Sequence, residues 1–497
     1  MRTFSHGGLS TAGATASAQG AALPYPGLRP FRSDETDIFF GRQTHIDQLV
    51  EKLGATHFLA VTGPSGCGKS SLVHAGLIPA LESGLLPSAG ARWRIAAMRP
   101  GQHPIQRLVQ SLLAAPALGP ELAGTPAAAD VLHAALLRGP LGLVEVLRET
   151  PWPEATNLLL CVDQFEEMFR FLQDGSSDEA EAFVELLLTT AAQRDVPVSV
   201  VLIMRSDFLG DCALFRGLPE AINAGQFLTP QLTREQRQEA IVEPARLFGG
   251  TVAPALVNRL LNDMGSALDQ LPLMQYALMR MWANASAESQ TRADGTPAAG
   301  VTLTLVDYDK IGGFAEALSR HAEATFAVLH APQQRITEAL FRCLSERSPA
   351  RADTHHRQTP VKTVAAVAAV PWSQVAEVVE IFRQPGLGFI TPPAGTPLQP
   401  ETILALSHES LTHQWKRLSA WIEQETKAAA IYRSLEAAAR QWQAQPQSSK
   451  APLWSGFDLE EALHWREQER PTRAWAERYG TAFDVAMALL AASEHGT

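Results

Sequence analysis

Eight consecutive residues have the types and the spacing of a phosphate-binding loop. The run Gly63-Pro64-Ser65-Gly66-Cys67-Gly68-Lys69-Ser70 matches the pattern G-x-x-x-x-G-K-S/T. Glycines allow successive backbone N–H groups to point at phosphate oxygens. A lysine at this position binds the β- and γ-phosphates, and the serine hydroxyl is a ligand for Mg²⁺. The motif therefore predicts binding of a nucleoside triphosphate with magnesium through Lys69 and Ser70.

The residues on either side of the motif supply the strand and the helix that it requires. Residues 58–62 are a short apolar run that predicts a β-strand, and residues 70–78 have a helical pattern. The loop thus ends at a helix N-terminus, whose dipole favours bound phosphate. These flanks argue against the alternative, which is a glycine turn that matches the pattern by chance.

Three acidic residues follow another strong strand signal. The apolar run 158–162 is followed by Asp163, and Glu166 and Glu167 come soon after. Asp163 is placed to hold Mg²⁺-bound water together with Ser70. A second carboxylate is expected to orient the attacking water or to accept its proton. Glu166 is the first candidate and Glu167 the neighbouring one, because the spacing does not separate them; the alternative is that these acids only solvate a strand end.

Three further positions have weaker support from spacing alone. Arg205 ends the apolar run 198–204, where an arginine can contact the γ-phosphate; the alternative is a surface ion pair. A lone histidine such as His408 is more often structural than functional. Pro272 is equally consistent with a turn between helices.

The predicted elements that position these residues alternate between strands and helices up to about residue 250. Apolar runs of strand length lie at 58–62, 94–98, 158–162, 198–204 and 227–228, with helical patterns between them. This alternation predicts an α/β fold with a parallel sheet covered by helices on both faces. Residues 25–250 are the predicted nucleotide-binding domain.

After residue 250 helical patterns dominate. Residues 251–330 are predicted as a helical domain with an exposed loop at 285–300. Residues 331–425 are predicted as a winged-helix domain, because helices are followed by two short strands around a Pro/Gly-rich turn. Residues 426–497 are predicted as a C-terminal helical module, and six of the ten tryptophans lie between positions 415 and 475.

The bulk composition limits the classes of partner. The 497 residues allow about three or four domains. A net charge of −11 argues against broad electrostatic binding to nucleic acid or to anionic membranes. The four cysteines are widely spaced, so we expect no disulfide framework, no zinc site and a cytoplasmic location. No run of about 18 apolar residues predicts a transmembrane helix.

The first 24 residues have the composition of a disordered tail. They contain no acidic residue and are rich in Ala, Gly, Ser and Thr. They lack the apolar core of a secretory signal, and their single arginine, Arg2, is fewer than an organellar transit peptide requires.

Taken together, several motifs resemble those of the STAND class of signal-transduction ATPases, and within it the bacterial novel-STAND group. The resemblance extends from about residue 25 to about residue 473. The runs that carry it are Pro26-Gly27-Leu28-Arg29-Pro30-Phe31, Phe39-Phe40-Gly41-Arg42, the loop from Gly63 to Ser71, Val162-Asp163-Gln164-Phe165-Glu166-Glu167, Arg205-Ser206-Asp207-Phe208, and Leu406-Ser407-His408-Glu409-Ser410-Leu411 with Trp415.

The resemblance implies a P-loop domain of the ASCE or AAA+-like type, a helical lid and a winged helix. By this likeness Gly41 and Arg42 lie near the adenine, and Arg205 is the γ-phosphate sensor. Pro272 belongs to the G-x-P motif of the lid and contacts the base, and His408 holds the β-phosphate of ADP. One departure is that the glycine of the G-x-P motif is replaced by Gln270.

The resemblance also implies a mechanism and partners. ADP bound between the domains holds a closed monomer, and exchange for ATP opens it so that protomers assemble into a homo-oligomer. Relatives usually carry a sensor array and an effector domain, whereas this sequence ends at Thr497 and has a short tail before Tyr25. We therefore expect either a fragment or a separate sensor or effector protein.

The leading hypothesis is an ATP-binding, slowly hydrolysing switch in bacterial defence or signalling. One alternative is a transcription regulator that binds DNA through its winged helix. The segment 333–425 carries nine Lys/Arg and nine Asp/Glu, which gives no net basic face, so nucleic acid is an unlikely partner. A second alternative is a scaffold that keeps ADP and does not hydrolyse ATP.

Overall fold

The computed structural model describes residues 23–119, 127–151, 153, 155–169, 177–265, 270–290, 300–347, 354–444 and 453–496. The predicted disordered tail lies outside the described residues except for Leu23 and Pro24.

Five parallel strands form the central sheet of the nucleotide-binding domain. They are β1 (Phe58–Gly63), β2 (Arg92–Met98), β3 (Thr156–Val162), β4 (Val198–Arg205) and β5 (Gln226–Leu228). The strand order is β2-β3-β4-β1-β5, and all four pairings are parallel. Strand β4 therefore lies between the strand before the phosphate loop and the strand before Asp163. This arrangement is AAA+-like and confirms the predicted fold class.

The uninterrupted apolar runs in the sequence are explained by burial on both faces of the sheet. Alternate residues of β3 pack into two separate apolar clusters, with Leu158 and Leu160 in one and Leu159 and Cys161 in the other. A strand covered on both sides has no solvent-facing positions, so it shows no alternation of polar and apolar residues. The helices and 3-10 segments of this domain are Ser33–Ile38, Gln43–Thr56, Lys69–Ser71 with its π-helical continuation Leu72–Leu77, Ile78–Glu82, Pro104–Leu112, Ala128–Leu136, Gly142–Glu149, Ser177–Ala192, Ser206–Phe208, Asp211–Leu214, Leu218–Gly225 and Arg234–Leu247.

The helical domain differs from its prediction in two places. Its helices are Pro254–Asp263, Gln270–Gln290, Leu305–Ile311 and Gly313–Ala327. Residues 285–290, predicted as part of a loop, continue a helix; the small and polar side chains at 285–288 are partly or fully exposed. Two strands of two residues each, Thr251–Val252 and Thr302–Leu303, pair in parallel. Such short strands leave no hydrophobic pattern in a sequence.

The winged-helix domain contains three strands in its wing, where the sequence predicted two. Its helices are Ala331–Leu344, Val361–Ala368 and Trp372–Phe382. The wing has the order Thr359–Pro360, Ile403–Leu406, Ile390–Thr391 and is antiparallel. Ser345–Arg347 and Thr354–His356 form a further antiparallel strand pair. The three additional strand segments are too short to be recognised by alternation.

The C-terminal module shares its first helix with the winged-helix domain. After Ser410–Gln414, the helix Lys416–Ala444 runs unbroken for 29 residues and crosses the predicted boundary at 425/426. Helices Phe457–Glu469, Arg473–Ala476 and Phe483–Gly496 pack beside it. The Pro-flanked stretch 446–452, where the sequence predicts an interruption of the helices, lies outside the described residues.

A buried carboxylate joins the winged-helix domain to the C-terminal module. Glu425 accepts hydrogen bonds from Arg342 Nε and Arg478 Nη1, both at 2.6 Å, and from Trp475 Nε1 at 2.9 Å. It also accepts a short hydrogen bond from Tyr479 Oη. Burial alone raises the pKa of Glu425, but the two arginines outweigh it and hold the pKa below its usual range. The two domains are therefore fixed to each other by a paired, hydrogen-bonded charge cluster.

Among the described residues, no single helix is long and apolar enough to cross a membrane. Two consecutive helices, Val361–Ala368 and Trp372–Phe382, reach the required length and hydropathy only when they are counted together, and they are bent by 112° relative to each other. Their valines at 361, 364, 375, 378 and 379 are buried in the core of the winged-helix domain.

Candidate nucleotide-binding site

A cleft opens at the carboxyl ends of strands β1, β3 and β4. Its floor is the phosphate loop and the acidic segment that follows β3. One wall is the N-terminal segment from Gly27 to Phe31, and another is the start of helix Gln270–Gln290. Residues 405–409 of the winged-helix domain lie across from the loop. Side chains from three of the four predicted domains thus meet around one space.

The phosphate loop has the backbone conformation that its glycines permit. Gly66 and Gly68 have φ angles of +70° and +93°, which L side chains rarely adopt. Lys69 Nζ donates to Gly63 O at 3.0 Å and to Pro64 O at 2.8 Å, so the ammonium lies across the mouth of the loop. A phosphate in the loop therefore meets a lysine that is already positioned by backbone carbonyls.

Ser70 and Asp163 are in direct contact. Ser70 Oγ donates to Asp163 Oδ1 at 3.0 Å, and the same oxygen accepts from the backbone N–H of Gln164 at 2.9 Å. A hydroxyl and a carboxylate this close are able to share one cation, and Mg²⁺ prefers oxygen ligands of this kind, with phosphates and water completing its shell. The residues present therefore fit a magnesium ion beside the phosphate loop.

The structure places the two adjacent glutamates in different surroundings. Glu167 is engaged through both carboxylate oxygens, because Oε2 accepts from Gly101 N at 3.0 Å and Oε1 from Gln358 Nε2 at 2.9 Å. Glu166 lines the cleft, and its Oε2 accepts a long hydrogen bond, 3.3 Å, from the backbone N–H of Arg205. Desolvation by the surrounding protein raises the pKa of Glu166 to about 7, and the opposing effect of nearby Lys69 is smaller.

Arg205 ends strand β4 and lines the cleft. Its Nε and Nη2 donate to Asp207 at 3.1 and 2.8 Å, while Nη1 donates to Glu409 Oε2 at 3.1 Å. Glu409 belongs to the winged-helix domain. The predicted γ-phosphate sensor is thus bonded across a domain boundary.

His408, which precedes Glu409, also lines the cleft. Its Nδ1 accepts from the backbone N–H of Ser410 at 3.1 Å and lies 2.9 Å from the hydroxyl of the same residue. Because Nδ1 is an acceptor, the proton of a neutral ring is on Nε2, which makes Nε2 a donor suited to a phosphate oxygen.

The residues predicted near the base divide into two groups. Pro272 lines the cleft in the first turn of helix Gln270–Gln290, where a proline is tolerated. Arg42 also lines the cleft, and it supports the loop, since its Nη2 donates to Cys67 O at 2.8 Å and its Nη1 to Pro230 O at 2.7 Å. Burial lowers the pKa of Arg42 to about 10. Gly41 does not line the cleft; at its φ of +81° a Cβ atom would approach Gln236 O to 2.5 Å.

Three residues around the cleft have no counterpart in the sequence predictions. Gln275 follows Pro272 on the same helix, Gln358 bonds to Glu167, and Glu409 bonds to Arg205. Gln358 lies in a stretch with no pattern of its own, and the two cross-domain contacts join residues 191 and 204 positions apart. No local signal in the sequence could have identified these pairings.

Comparison with known proteins assigns most of the chain to one family. Residues 24–450 match the family model described as Novel STAND NTPase 1, a family of nucleotide-binding P-loop NTPases. No curated protein matches the sequence significantly.

Several solved structures resemble the fold at low identity. They include the Aeropyrum pernix ORC2 protein in ADPNP–ADP complexes, at 12% identity and a TM-score of 0.41, and Cdc6p from Pyrobaculum aerophilum, at 15% and 0.36; each alignment covers 78% of this chain and 94% of that chain. The RuvB Holliday junction branch migration motor of Thermotoga maritima aligns at 13% identity and a TM-score of 0.28, covering 78% of this chain and 97% of that one. At these TM-scores the likeness carries no argument about function.

Proposed function

Since the chain belongs to the Novel STAND NTPase 1 family, we propose that it is an ATP-binding, slowly hydrolysing switch. ADP holds the closed form, and ATP favours an open form that assembles with copies of itself. A role in bacterial defence or signalling, in the cytoplasm and with a separate sensor or effector protein, is part of this proposal. The four buried, unbridged cysteines are compatible with a reducing compartment.

The observation that carries the proposal is the contact between the winged-helix domain and the catalytic end of the cleft. Glu409 is bonded to the candidate sensor Arg205, and Gln358 to Glu167, beside the phosphate loop. A γ-phosphate bound beside the phosphate loop would bring negative charge close to the guanidinium of Arg205. Nucleotide can shift a closed–open equilibrium only as far as it binds the two forms differently, and a contact at the γ-phosphate position supplies such a difference.

The residues of the cleft support distinct roles in hydrolysis. Lys69 and the loop amides bind the phosphates, and Ser70 with Asp163 would hold Mg²⁺, which neutralises charge on the β- and γ-phosphates when it is bound. Glu166 orients the attacking water and takes its proton, since a carboxylate whose pKa is about 7 is half ionised near neutral pH.

The same cleft supports the switch in the ADP state. His408 lies on the winged-helix side and is suited to donate from Nε2 to the β-phosphate. The phosphate then links the loop to the winged-helix domain, and that link supplies the differential affinity that a nucleotide switch requires.

Mass-resolved sizing of the purified protein, after identification of the co-purified nucleotide, tests the proposal. We expect a monomer with ADP and an oligomer with a non-hydrolysable ATP analogue. Lys69→Ala should bind neither nucleotide and should not assemble. Lys427→Ala, which removes an exposed lysine paired with Glu423, is the matched control and should behave as the wild type.

Two results would contradict the switch. Unchanged ATP affinity in Lys69→Ala would mean that the loop does not bind the phosphates. Stoichiometric bound ADP, no turnover and the same monomeric mass with ADP and with the ATP analogue would instead favour a non-hydrolysing scaffold.

A further inference from the structure

A buried carboxamide on the helical domain faces the cleft without satisfying its own hydrogen bonds. Gln275 is 7% exposed and lines the cleft. Within the part of the chain that the structure describes, its Oε1 has no hydrogen-bond partner. Burying an amide oxygen without a donor is unfavourable. A ligand in the cleft that donates a hydrogen bond to Oε1 would remove this penalty.

The position of Gln275 on its helix shows where such a ligand lies. Pro272 and Leu271 precede it by three and four residues, so all three occupy one face of helix Gln270–Gln290. Leu271 Cδ1 is 3.8 Å from the position that a Cβ atom would have at Gly68. The first turn of the helix thus contacts the phosphate loop. A molecule with its phosphates in the loop would extend along this face of the helix toward Gln275.

The cleft that Gln275 lines is also lined by large apolar side chains. They are Leu28, Phe39, Leu232 and Met274. A mainly apolar pocket with one placed polar group is the usual design of a small-molecule site, in which the polar group fixes orientation and specificity. A purine base has the required shape, with hydrogen-bonding atoms confined to its edge.

We propose that Gln275 is a specificity-determining residue that selects adenine; this inference rests on the proposed function. Its Oε1 accepts from the exocyclic amine of adenine, while its Nε2 donates to the neighbouring ring nitrogen, which is the bidentate geometry that glutamine and adenine favour. Guanine and hypoxanthine present a carbonyl oxygen where adenine has the amine, so in the same pose an acceptor would face the acceptor Oε1.

Affinities of the full-length protein for ADP, GDP and inosine diphosphate test this inference. The wild type should prefer ADP by about tenfold to a hundredfold. Gln275→Met keeps the shape of the side chain without its polar atoms. It should lower the affinity for ADP and thereby remove most of this preference. Gln374→Met, at an exposed position of the winged-helix domain, is the matched control and should leave all three affinities unchanged.

Gln275→Glu provides a second and opposite expectation. A carboxylate accepts from two donors, so it should favour guanine, whose ring N–H and amine both donate, and should move the preference toward GDP. Undiminished GDP binding in both variants shows that the cleft remains folded.

The results separate this inference from the proposed function. If the wild type binds ADP in a Lys69-dependent way but Gln275→Met and Gln275→Glu keep its base preference, the specificity role is wrong and the switch stands. If the wild type binds no nucleotide, the proposed function itself is wrong, and the role of Gln275 with it.

Discussion

Arg205 and Glu409, 204 residues apart in the sequence, form an ion pair of 3.1 Å at the edge of the nucleotide cleft. Each side chain is about one-fifth exposed, so solvent screens the pair only in part. One partner ends a strand of the sheet and the other follows the wing. A phosphate that attracts Arg205 therefore competes with the winged-helix domain for the same guanidinium.

Glu409→Gln should shift the equilibrium toward the assembled form. Removing the charge weakens the tie between Arg205 and the winged-helix domain, and a loss of about 1 kcal/mol corresponds to roughly a fivefold shift between closed and open protein. The fraction of oligomer at a fixed concentration of the non-hydrolysable ATP analogue, determined by mass-resolved sizing, measures this shift.

The matched control for Glu409 is Glu401→Gln in the same domain. Glu401 is exposed and lies 3.8 Å from Lys362, far looser than the cleft pair, so its neutralisation should leave assembly unchanged. Equal effects of the two variants would assign the change to net charge and would refute a specific tie through Arg205.

Glu166→Gln should abolish steady-state ATP hydrolysis while nucleotide affinity remains close to that of the wild type. The amide cannot take the proton of the attacking water, and loss of a general base commonly costs about 10²–10⁴-fold in rate. Glu167→Gln should retain most of the turnover, because its carboxylate is bonded to Gly101 and Gln358. The reverse result, with Glu167 essential and Glu166 dispensable, would exchange the two roles.

Hydrolysis should increase with pH across the neutral range. The pKa of Glu166 is raised to about 7, so its charged form, which acts as the base, increases from about a tenth at pH 6 to about nine-tenths at pH 8. The kcat/KM for ATP should rise about tenfold between these values, and direct binding measured at each pH separates this effect from a change in affinity. A flat profile would show that Glu166 does not titrate in the rate-limiting step.

His408→Ala should lower the affinity for ADP by more than it lowers the affinity for the ATP analogue. A hydrogen bond to a charged group is worth about 1.5–3 kcal/mol, so a loss of about tenfold or more in ADP affinity is expected. Calorimetric titration of both nucleotides measures the ratio of the two affinities in the variant and in the wild type. His413→Ala, a histidine five positions later in the sequence and outside the cleft lining, is the control. A parallel loss of both affinities would argue against a role specific to the ADP state.

Glu425→Gln should strongly destabilise the fold. Arg478 loses the carboxylate that pairs with it and remains buried, and breaking a buried pair on one side costs about 3–5 kcal/mol; Arg342 keeps its ion pairs with Glu338 and Glu469. Thermal unfolding measures the loss. Glu423→Gln lies two residues earlier in the same helix and disrupts only an exposed pair with Lys427, so it should change the melting temperature little.

The sequence predicts well the features that depend on neighbouring residues. The phosphate loop is a local motif, and its Ser70 meets Asp163 because parallel strands end at one edge of a sheet. The sequence does not predict the contacts of Gln358 and Glu409, because these depend on how separately folded domains pack. It also does not distinguish Glu166 from Glu167, since their different surroundings come from distant segments. The role of Arg42 beside the base stays a prediction; the structure adds its hydrogen bonds to the backbone at Cys67 and Pro230, which no local pattern indicated.

The 29-residue helix Lys416–Ala444 begins seven residues after Glu409 and extends into the C-terminal module. At 1.5 Å per residue it is about 43 Å long. A tilt of about 10° at its first turn would displace its last turn by about 7 Å, which exceeds the diameter of a water molecule and reaches the scale of a side chain. In the proposed switch, such a tilt would convert the change of one phosphate group into a displacement large enough to expose or cover a protein surface.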